Sequence, residues 1–185
     1  MTGCKPVRLI ELFAGYGSQA MAMKRLGIPF EHHFVCEFDK YAIASYNAVH
    51  GTGFPTMDIR DIKGSDLNIT DMDTYNYILF YSSPCTDLSQ AGKQLGMAKG
   101  SGTRSGLLWE VERLLLECAE LGTLPQYLFM ENVPAIHSDK FIDDFNKWIS
   151  FLGTLGYKSK WRDLNAKDYG IPQNRIRTFL VSSLD

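Results

Sequence analysis

The sequence predicts an α/β protein with a doubly wound, mostly parallel sheet. Short apolar runs, which are typical of buried strands, alternate with segments of helical periodicity along most of its 185 residues. Glycines at positions 27 and 51 follow the first two helical segments, as they do at many helix ends. The last two strand-like runs have no helix between them, so the sequence predicts that they form an antiparallel pair at the edge of the sheet, with an antiparallel last strand.

The first fifty residues predict two consecutive strand–helix units. Apolar runs over residues 7–13 and 34–38 predict the strands. Residues 18–26 and 40–50 predict the helices that follow them. Repetition of this unit is the pattern of a parallel sheet with helices packed on its faces.

The remaining residues predict four strands and two helices. Residues 77–81 and 127–131 predict buried strands on either side of a helix over 107–121, and residues 158–164 and 178–183 predict the closing pair of strands. The second helix begins near Ser138 or Asp139, either of which can cap it. Its apolar residues fall on one face and predict core packing, not a cofactor site: Phe141, Phe145, Trp148, Ile149, Leu152 and Leu155.

The composition indicates one hydrophobic core without metal or disulfide cross-links. A chain of this length buries roughly 70% of its unfolded surface, so we predict a single domain over residues 1–185. The cysteines, Cys4, Cys36, Cys85 and Cys118, form neither a CxxC pair nor a Cys/His cluster. We therefore expect no metal site and a reducing compartment.

Charge gives no overall argument for a nucleic-acid partner, because the formal net charge is -2. Residues 158–177 nevertheless carry six basic side chains against two acidic ones, a local charge of +4. This basic stretch is either a site for an anionic partner or an ordinary solvated face.

The sequence indicates neither a membrane span nor a secretory signal. No apolar stretch approaches the ~20 residues that a membrane-spanning helix needs. The N-terminal residues also lack the apolar core of a signal peptide. We therefore predict a cytoplasmic protein without a membrane partner.

Cys85 is the first candidate functional residue. It follows Pro84 after a strand-like run and precedes a segment rich in glycine, residues 92–106. A thiol at the mouth of a parallel sheet, on a loop that can cover a substrate, is placed to act as a nucleophile. The alternative is a buried structural thiol, since free cysteine is among the most buried residue types.

A glycine-rich turn joins the first strand to the first helix. Gly15 and Gly17 remove side chains where a ligand would approach the backbone at a helix N-terminus. The dinucleotide-binding pattern requires a third glycine where this chain has Ala20, so a dinucleotide is disfavoured. The alternative is that both glycines serve only the conformation of the turn.

Two acidic residues follow later strand-like segments. Glu37 stands at the end of the second strand, where an acidic group in such folds accepts hydrogen bonds from ribose hydroxyls. Asp58 and Ile59 could supply a carboxylate and an apolar wall for an adenine ring. Alternatively, Asp58 closes a turn with Asp61.

Glu131 ends a strand-like run that should lie beside the strand leading to Cys85. Because strand ends meet at one edge of a parallel sheet, we expect this carboxylate and the thiol to share a site where Glu131 holds or delivers a proton. The alternative is that Glu131 caps a turn before Pro134.

In order and content these segments resemble the C5-cytosine DNA methyltransferase family. The resemblance starts with Leu9-Ile10-Glu11-Leu12-Phe13-Ala14-Gly15-Tyr16-Gly17 and continues through Glu37, Asp58-Ile59, Ser83-Pro84-Cys85, Gly92-Lys93-Gln94 and Glu131-Asn132-Val133. It ends with Asp168-Tyr169-Gly170-Ile171-Pro172-Gln173-Asn174-Arg175-Ile176-Arg177, so it covers nearly the whole chain. The Pro-Cys, Glu-Asn-Val and Gln-x-Arg-x-Arg motifs are specific in this order, which isolated glycines are not.

The resemblance implies a Rossmann-like methyltransferase fold that binds S-adenosylmethionine, releases S-adenosylhomocysteine and uses no metal. The implied cofactor residues lie mainly at the first three strand ends: Phe13, Gly15 and Gly17 at the methionine part, Glu37 at the ribose, Phe38, Asp58 and Ile59 at the adenine, and Pro84 and Leu107 beside them. Of these, Phe38 is expected to stack on the adenine ring.

The resemblance also implies methyl transfer to carbon 5 of a cytosine that has left the DNA stack. The Cys85 thiolate attacks carbon 6, and Glu131 hydrogen-bonds or protonates ring nitrogen 3. Carbon 5 takes the methyl group and loses its proton, and Cys85 is eliminated. Arg177 would reach the cytosine O2, Arg175 the phosphates or the same pocket, and the loop over residues 86–106 would close over the DNA.

The sequence departs from the family in two places. Thr86 and Leu88 stand where the family usually shows glutamine and phenylalanine, which we expect to alter loop contacts more than chemistry. Family members also continue past the Gln-x-Arg-x-Arg strand with a target-recognition region, which this sequence does not show. We therefore expect a fragment, one half of a split enzyme completed by a second chain, or a truncated gene product, of bacterial or phage restriction–modification type.

Two alternative functions stay open at this point. One branch of the family methylates cytosine in tRNA, and compact size alone leans towards it. The other alternative is a non-catalytic lobe that binds S-adenosylmethionine or a partner chain without turnover.

Overall fold

The computed structural model describes residues 5–84 and 105–184. Over these ranges the elements are β1 (Val7–Leu12), α1 (Ser18–Arg25), β2 (Phe30–Cys36), α2 (Lys40–His50), β3 (Asn76–Tyr81), α3 (Leu108–Leu121), β4 (Tyr127–Asn132), α4 (Ile142–Thr154), β5 (Lys158–Asn165) and β6 (Ile176–Ser183). Short 3₁₀ helices precede β3, α3, α4 and β6. The alternation of strands and helices confirms the predicted α/β class.

The chain divides into two compact units. Within the described ranges, the first unit comprises residues 5–81 and 112–127, and the second comprises residues 82–84, 105–111 and 128–184. The single domain expected over residues 1–185 stays a prediction.

The sheet of the first unit has β1 at its centre. β1 runs parallel to β2 on one side and to β3 on the other. Leu12, the last residue of β1, pairs with Cys36 of β2 and with Tyr81 of β3. The carboxyl ends of all three strands therefore coincide, and the loops after β1 and β2 begin at the same edge.

Helix α1 packs on one face of this sheet. Leu9 of β1 forms a buried cluster with Ala20 and Met23 of α1. Alternate residues of a strand share a face, so Glu11 lies on the same side of β1 as Leu9. A carboxylate thus occupies the helix-covered face of the central strand.

Strand β2 begins four residues earlier than the sequence predicts, at Phe30. Two histidines interrupt its apolar run, and both find partners that allow them to lie in the strand. His32 Nδ1 is 2.7 Å from the Tyr46 hydroxyl, and His33 Nε2 is 3.0 Å from the Leu67 carbonyl oxygen. These contacts extend the strand through polar positions that hydrophobic periodicity could not assign.

The second unit contains the antiparallel strand pair that the sequence predicts. β6 lies between β4 and β5 in the strand order. It runs antiparallel to β5, pairing Ser183 with Lys158 and Ile176 with Asn165. The turn between them contains a 3₁₀ helix, Ala166–Tyr169, too short for a parallel crossover.

Helix α4 buries the predicted apolar face but does not begin as predicted. Phe145, Trp148 and Leu152 are buried. Capping by the side chain of Ser138 or Asp139 was the wrong expectation, because the N-cap is Phe141 without a side-chain cap. The Ser138 hydroxyl instead donates to the Ala135 carbonyl, 2.8 Å away, and so closes the preceding 3₁₀ turn.

No helix within residues 5–84 and 105–184 combines the length and the apolar character needed to cross a membrane.

Candidate functional site

Backbone hydrogen bonds join the loops at the carboxyl edge of the first unit. The Ala14 N–H donates to the Cys36 carbonyl over 3.2 Å, and the Met57 N–H donates to the Glu37 carbonyl over 2.9 Å. These bonds bring together three segments that the sequence predicts to share a site: residues 13–17, 37–38 and 57–59.

The Glu37 carboxylate links two of these segments. Oε2 accepts a hydrogen bond from the Gly15 N–H at 2.8 Å, and Oε1 accepts one from the Asp39 N–H at 2.7 Å. Each carboxylate oxygen offers about two lone-pair directions, so each retains an acceptor position for a ligand hydroxyl. Glu37 is half-buried and can therefore position the glycine turn and bind a ligand at once.

The turn after β1 has an unusual backbone. Phe13, Gly15 and Gly17 have φ angles of 58°, 57° and 82°, all in the left-handed region. This conformation is uncommon for a bulky residue such as Phe13 and marks a strained position. A Cβ added at Gly15 would meet no heavy atom within 4 Å. The space beside Gly15 is therefore open, as a cradle for a ligand requires.

Gly17 is required for a different reason. A Cβ at this position would lie 2.3 Å from His50 Nε2 and 2.6 Å from Tyr46 Cε2. Its missing side chain makes room for protein atoms of α2, whereas the sequence suggested room for a ligand. Gly17 also precedes α1 as its N-cap and supplies no side-chain cap.

Phe38 presents an aromatic ring next to Glu37, and its side chain is 69% exposed. The residue after it, Asp39, caps α2 by accepting hydrogen bonds from the Tyr41 and Ala42 N–H groups at 2.7 and 3.0 Å. Those amides lower the pKa of Asp39. The cap fixes the start of α2 and with it the backbone that carries Phe38.

Asp58 offers an ionised acceptor on the third segment. Its Oδ1 accepts hydrogen bonds from Arg60 N–H and Nε, each 3.0 Å away. Arg60 lowers the pKa of Asp58 through these contacts. The Asp61 N–H donates to the Asp58 carbonyl over 3.0 Å, so the turn considered as an alternative forms as well.

Helix α3 anchors the chain after Asp58. Arg113 Nη2 donates to the Ile59 carbonyl over 2.9 Å, and Glu117 Oε2 accepts from the Gly64 N–H over 2.6 Å. Ile59 is 4% exposed, so only a small part of its side chain is available to form the apolar wall that the sequence suggests.

Glu11 is a functional candidate that the motif contained but to which sequence reasoning gave no role. It is 1% exposed, and its Oε2 accepts a hydrogen bond from the Tyr46 hydroxyl. Burial raises the pKa of Glu11 to about 7, although this hydrogen bond opposes the shift. A carboxylate between Leu9-Ile10 and Leu12 in a strand-like run is the sequence signal that could have identified it.

The second unit brings together Glu131 and Arg177, two of the predicted catalytic residues. Arg177 Nε lies 3.0 Å from Glu131 Oε1, and the side chains are 22% and 28% exposed. Glu131 is the penultimate residue of β4, and Arg177 is the second residue of β6. Neighbouring strands thus place an acid and a fixed cation side by side.

Asn132 attaches the segment that precedes Cys85 to the same place. Its Nδ2 donates to the carbonyl and to the hydroxyl of Ser83, at 3.3 and 3.2 Å, and both residues are buried. Pro84 follows Ser83 and is half-buried. Cys85 itself lies outside the described residues. Asn132, a residue of the Glu-Asn-Val motif to which the sequence assigned no role, therefore holds Ser83 at the end of β4.

The remaining predicted site residues are less constrained. Arg175 is exposed, and its backbone N–H donates to Asn165 Oδ1 over 3.0 Å. Leu107 is half-buried and ends the 3₁₀ helix before α3. The predicted closing loop over residues 86–106 falls almost wholly outside the described residues. Within the described ranges, no group of three His, Cys, Asp or Glu side chains could hold a metal.

A family model for C-5 cytosine-specific DNA methylases matches residues 7–185. The orphan methyltransferase M.SssI of Spiroplasma monobiae is 47% identical over 128 residues, which are 69% of this chain and 31% of that protein. The type II methyltransferase M2.ScrFI of Lactococcus lactis subsp. cremoris is 32% identical over 97% of this chain and 61% of its own length. The chain thus spans between about a third and three-fifths of these relatives.

Solved structures show the same fold. The Dnmt2 methyltransferase of S. pombe superposes with a TM-score of 0.70 at 22% identity, covering 96% of this chain and 49% of that one. A DNMT2 mutant of Spodoptera frugiperda gives 0.73 at 18% identity, covering 96% and 50%. At these identities the likeness supports the fold alone, and it confirms the Rossmann-like methyltransferase architecture.

Proposed function

This chain belongs to the family of C-5 cytosine-specific DNA methylases, and we propose that it transfers a methyl group from S-adenosylmethionine to carbon 5 of a flipped cytosine in DNA. The observation that carries the proposal is the ion pair between Glu131 and Arg177, 3.0 Å apart. The next residue after Glu131 is bonded to Ser83, two residues before the Pro-Cys thiol. The acid–cation pair thus lies next to the contact that holds Ser83, which supports a role for these residues in the chemistry proposed for Cys85.

The first unit fits S-adenosylmethionine. Gly15 leaves open space, Glu37 retains acceptor positions for the ribose hydroxyls, and Asp58 is an ionised acceptor for the adenine amino group. The exposed Phe38 ring supplies a stacking surface for the base. Phe13 and Ile59 complete the proposed cofactor residues of this unit, while Gly17 serves the turn by leaving room for Tyr46 and His50. The assignment of Pro84 and Leu107 to the cofactor stays a prediction from the resemblance.

The buried Glu11 distinguishes this cofactor from a dinucleotide. A pyrophosphate at the start of α1 would approach a buried carboxyl group, and repulsion between the two would disfavour it. The cofactor supplies an electrophilic methyl group on a positively charged sulfur atom, which the same carboxylate attracts. The charge of the site therefore favours a sulfonium ligand.

Cys85 performs the covalent step. Its thiolate forms a bond to carbon 6 of the cytosine, and the electron pair displaced from the 5,6 double bond makes carbon 5 nucleophilic. Carbon 5 then takes the methyl group as the bond between that group and the sulfonium sulfur breaks, and S-adenosylhomocysteine leaves. Loss of the proton from carbon 5 returns the electron pair to the ring, and the Sγ–carbon 6 bond breaks. The free thiolate is regenerated.

Glu131 and Arg177 support the base during this step. The Glu131 carboxyl hydrogen-bonds or protonates ring nitrogen 3 and so stabilises the charge that develops when Cys85 attacks. Arg177 holds Glu131 in place through Nε and donates another hydrogen bond from Nη1 to the Ile176 carbonyl at 2.7 Å. Its remaining guanidinium donors can reach the cytosine O2.

DNA is the proposed macromolecular partner, with the exposed Arg175 and the loop over residues 86–106 at its phosphates. We further propose a cytoplasmic location and a role of restriction–modification type, by analogy with the matched relatives.

The testing experiment measures transfer of a labelled methyl group from S-adenosylmethionine to DNA and, separately, to tRNA. Cys85→Ala should abolish transfer, and the control Cys118→Ala, which removes a buried thiol of α3, should retain it. Transfer to DNA alone supports the proposal. Transfer to tRNA alone would identify the other polymer as substrate, and cofactor binding without transfer to either would indicate a non-catalytic lobe.

A further inference from the structure

A chain of buried polar side chains lies beneath the glycine turn of the first unit. The Tyr46 hydroxyl is 2.5 Å from Glu11 Oε2 and 2.7 Å from His32 Nδ1. Tyr46 has no exposed surface, and Glu11 is 1% exposed. Glu11 Oε1 and His32 Nε2 have no hydrogen-bond partner among the described residues. The side chains of Glu11, His32 and Tyr46 thus form a hydrogen-bonded group whose buried polar atoms are not all paired.

The proton positions in this chain are linked. Burial lowers the pKa of His32 to about 4, so its ring is neutral at neutral pH. When Glu11 is ionised, Tyr46 donates to it and His32 must donate to Tyr46 from Nδ1. When Glu11 is protonated, the direction of both bonds can reverse. The Tyr46 hydroxyl therefore stabilises the ionised form of Glu11, together with the Ala20 amide.

The same residues support the glycine turn. The Tyr46 ring and the His50 ring occupy the space beside Gly17, and their centroids are 4.5 Å apart. His50 Nε2 is 3.1 Å from the Tyr16 carbonyl oxygen. The backbone of residues 16–17 is thus packed against Tyr46, which hydrogen-bonds Glu11 and His32, and against His50, which contacts Tyr46.

We propose that Glu11 and Tyr46 are positioning residues of the cofactor site, and that S-adenosylmethionine binds more tightly when Glu11 is ionised. The inference rests on the function proposed above. A buried negative charge below the turn attracts the cationic cofactor in a medium of low dielectric constant, where such attraction is stronger than in water. The Tyr46 hydroxyl makes that charge available near neutral pH.

The other charged groups around Glu11 do not account for such a pH dependence. The Ala20 amide on α1 hydrogen-bonds the carboxyl and does not titrate. Glu11 pairs with Val35 on β2 and with Phe80 on β3, which are apolar. His50 and Lys24 act on His32, and His50 Nδ1 is 3.1 Å from Lys24 Nζ. A His50→Gln variant separates any contribution of that imidazole.

The experiment is calorimetric titration of the protein with S-adenosylmethionine between pH 6 and pH 8.5. Below the pKa of Glu11, which is about 7, affinity should rise by up to tenfold for each pH unit. Glu11→Gln should remove this rise. Tyr46→Phe keeps the ring beside Gly17 but removes the hydroxyl, so the rise should move to higher pH. The cofactor's own amino group titrates equally in all variants, so the readout is the difference between proteins.

Tyr41→Phe is the matched control, because Tyr41 lies on the same helix and is 72% exposed. It should keep the wild-type profile. An unchanged pH profile in Glu11→Gln, or equal profiles in Tyr46→Phe and wild type, would overturn the inference. If the wild-type chain bound no S-adenosylmethionine at any pH, the proposed function would fail first, and that result is distinct from a missing pH difference. If Glu11→Gln does not fold, the pH profile of cofactor affinity in Tyr46→Phe is sufficient to test the inference.

Discussion

Alanine substitution at the two glycines of the β1–α1 turn should damage different properties of the protein, namely cofactor binding at one position and folding stability at the other. Gly15 and Gly17 have similar positive φ angles, 57° and 82°. A Cβ at Gly15 meets open space, whereas a Cβ at Gly17 lies 2.3 Å from His50 Nε2. Gly15→Ala should therefore damage cofactor binding more than folding, and Gly17→Ala should damage folding more than any direct ligand contact.

The magnitudes follow from these contacts. An L-residue in the left-handed region costs roughly 1–2 kcal/mol, which is the whole expected loss of stability in Gly15→Ala. In Gly17→Ala the Cβ also lies 2.6 Å from the ring of Tyr46, which is fully buried and cannot move away. Overpacking of that kind costs about 1–3 kcal/mol more. The Gly17 variant should thus lose about 2–5 kcal/mol, a large part of a typical stability of about 5–15 kcal/mol.

Urea unfolding followed by circular dichroism measures the free energy of unfolding of each variant. Calorimetry with S-adenosylmethionine measures its cofactor affinity. Gly15→Ala should lose roughly tenfold or more in cofactor affinity, which is about 1.4 kcal/mol. If Gly17→Ala were as stable as Gly15→Ala, the packing argument would be wrong. If Gly15→Ala bound the cofactor as tightly as wild type, the open space beside it would not be the ligand cradle.

Three further changes test other parts of the account. Cys85→Ala should abolish methyl transfer while calorimetry finds nearly unchanged cofactor affinity, since the thiol serves only the chemical step; wild-type turnover would remove Cys85 as the nucleophile. Glu37→Ala should weaken S-adenosylmethionine binding by about 1–3 kcal/mol because ribose hydroxyls lose their acceptor, and unaltered affinity would count against the ribose assignment. Because burial raises the pKa of Glu11 from 4.5 to about 7, the folded state retains a proton that the unfolded state releases, so stability without cofactor should fall as pH rises through this window. Glu11→Gln should flatten that slope in urea titrations, and an unchanged slope would refute the assignment.

Hydrophobic periodicity predicted the elements whose apolar faces are regular. Helix α2 has the predicted bounds, 40–50, and α4 buries the predicted stripe, because burial of such a face dominates the energy of these helices. The start of β2 was missed because His32 and His33 are polar in isolation and find partners only in the folded chain. The start of α4 was missed because the Ser138 hydroxyl is used by the preceding turn.

In the candidate site, too, some features could be predicted from the sequence and others depend on contacts that form only in the folded chain. The end of each strand could be located approximately from sequence, so Glu37 and Glu131 could be singled out before their surroundings were known, and their roles stay predictions. The role of an absent side chain could not be assigned, since Gly15 and Gly17 differ only in what surrounds them in space. The role of Glu11 also depends on Tyr46, 35 residues away along the chain. Local pattern carries no information about that contact.

Covalent trapping tests the central claim most directly. The chain is incubated with S-adenosylmethionine and DNA in which 5-fluorocytosine replaces cytosine, and the products are examined under denaturing conditions. Because fluorine at carbon 5 cannot leave as a proton does, the elimination that frees Cys85 is blocked. The account predicts a denaturation-resistant adduct that maps to Cys85. Methyl transfer to ordinary DNA without such an adduct, or an adduct at another residue, would contradict it.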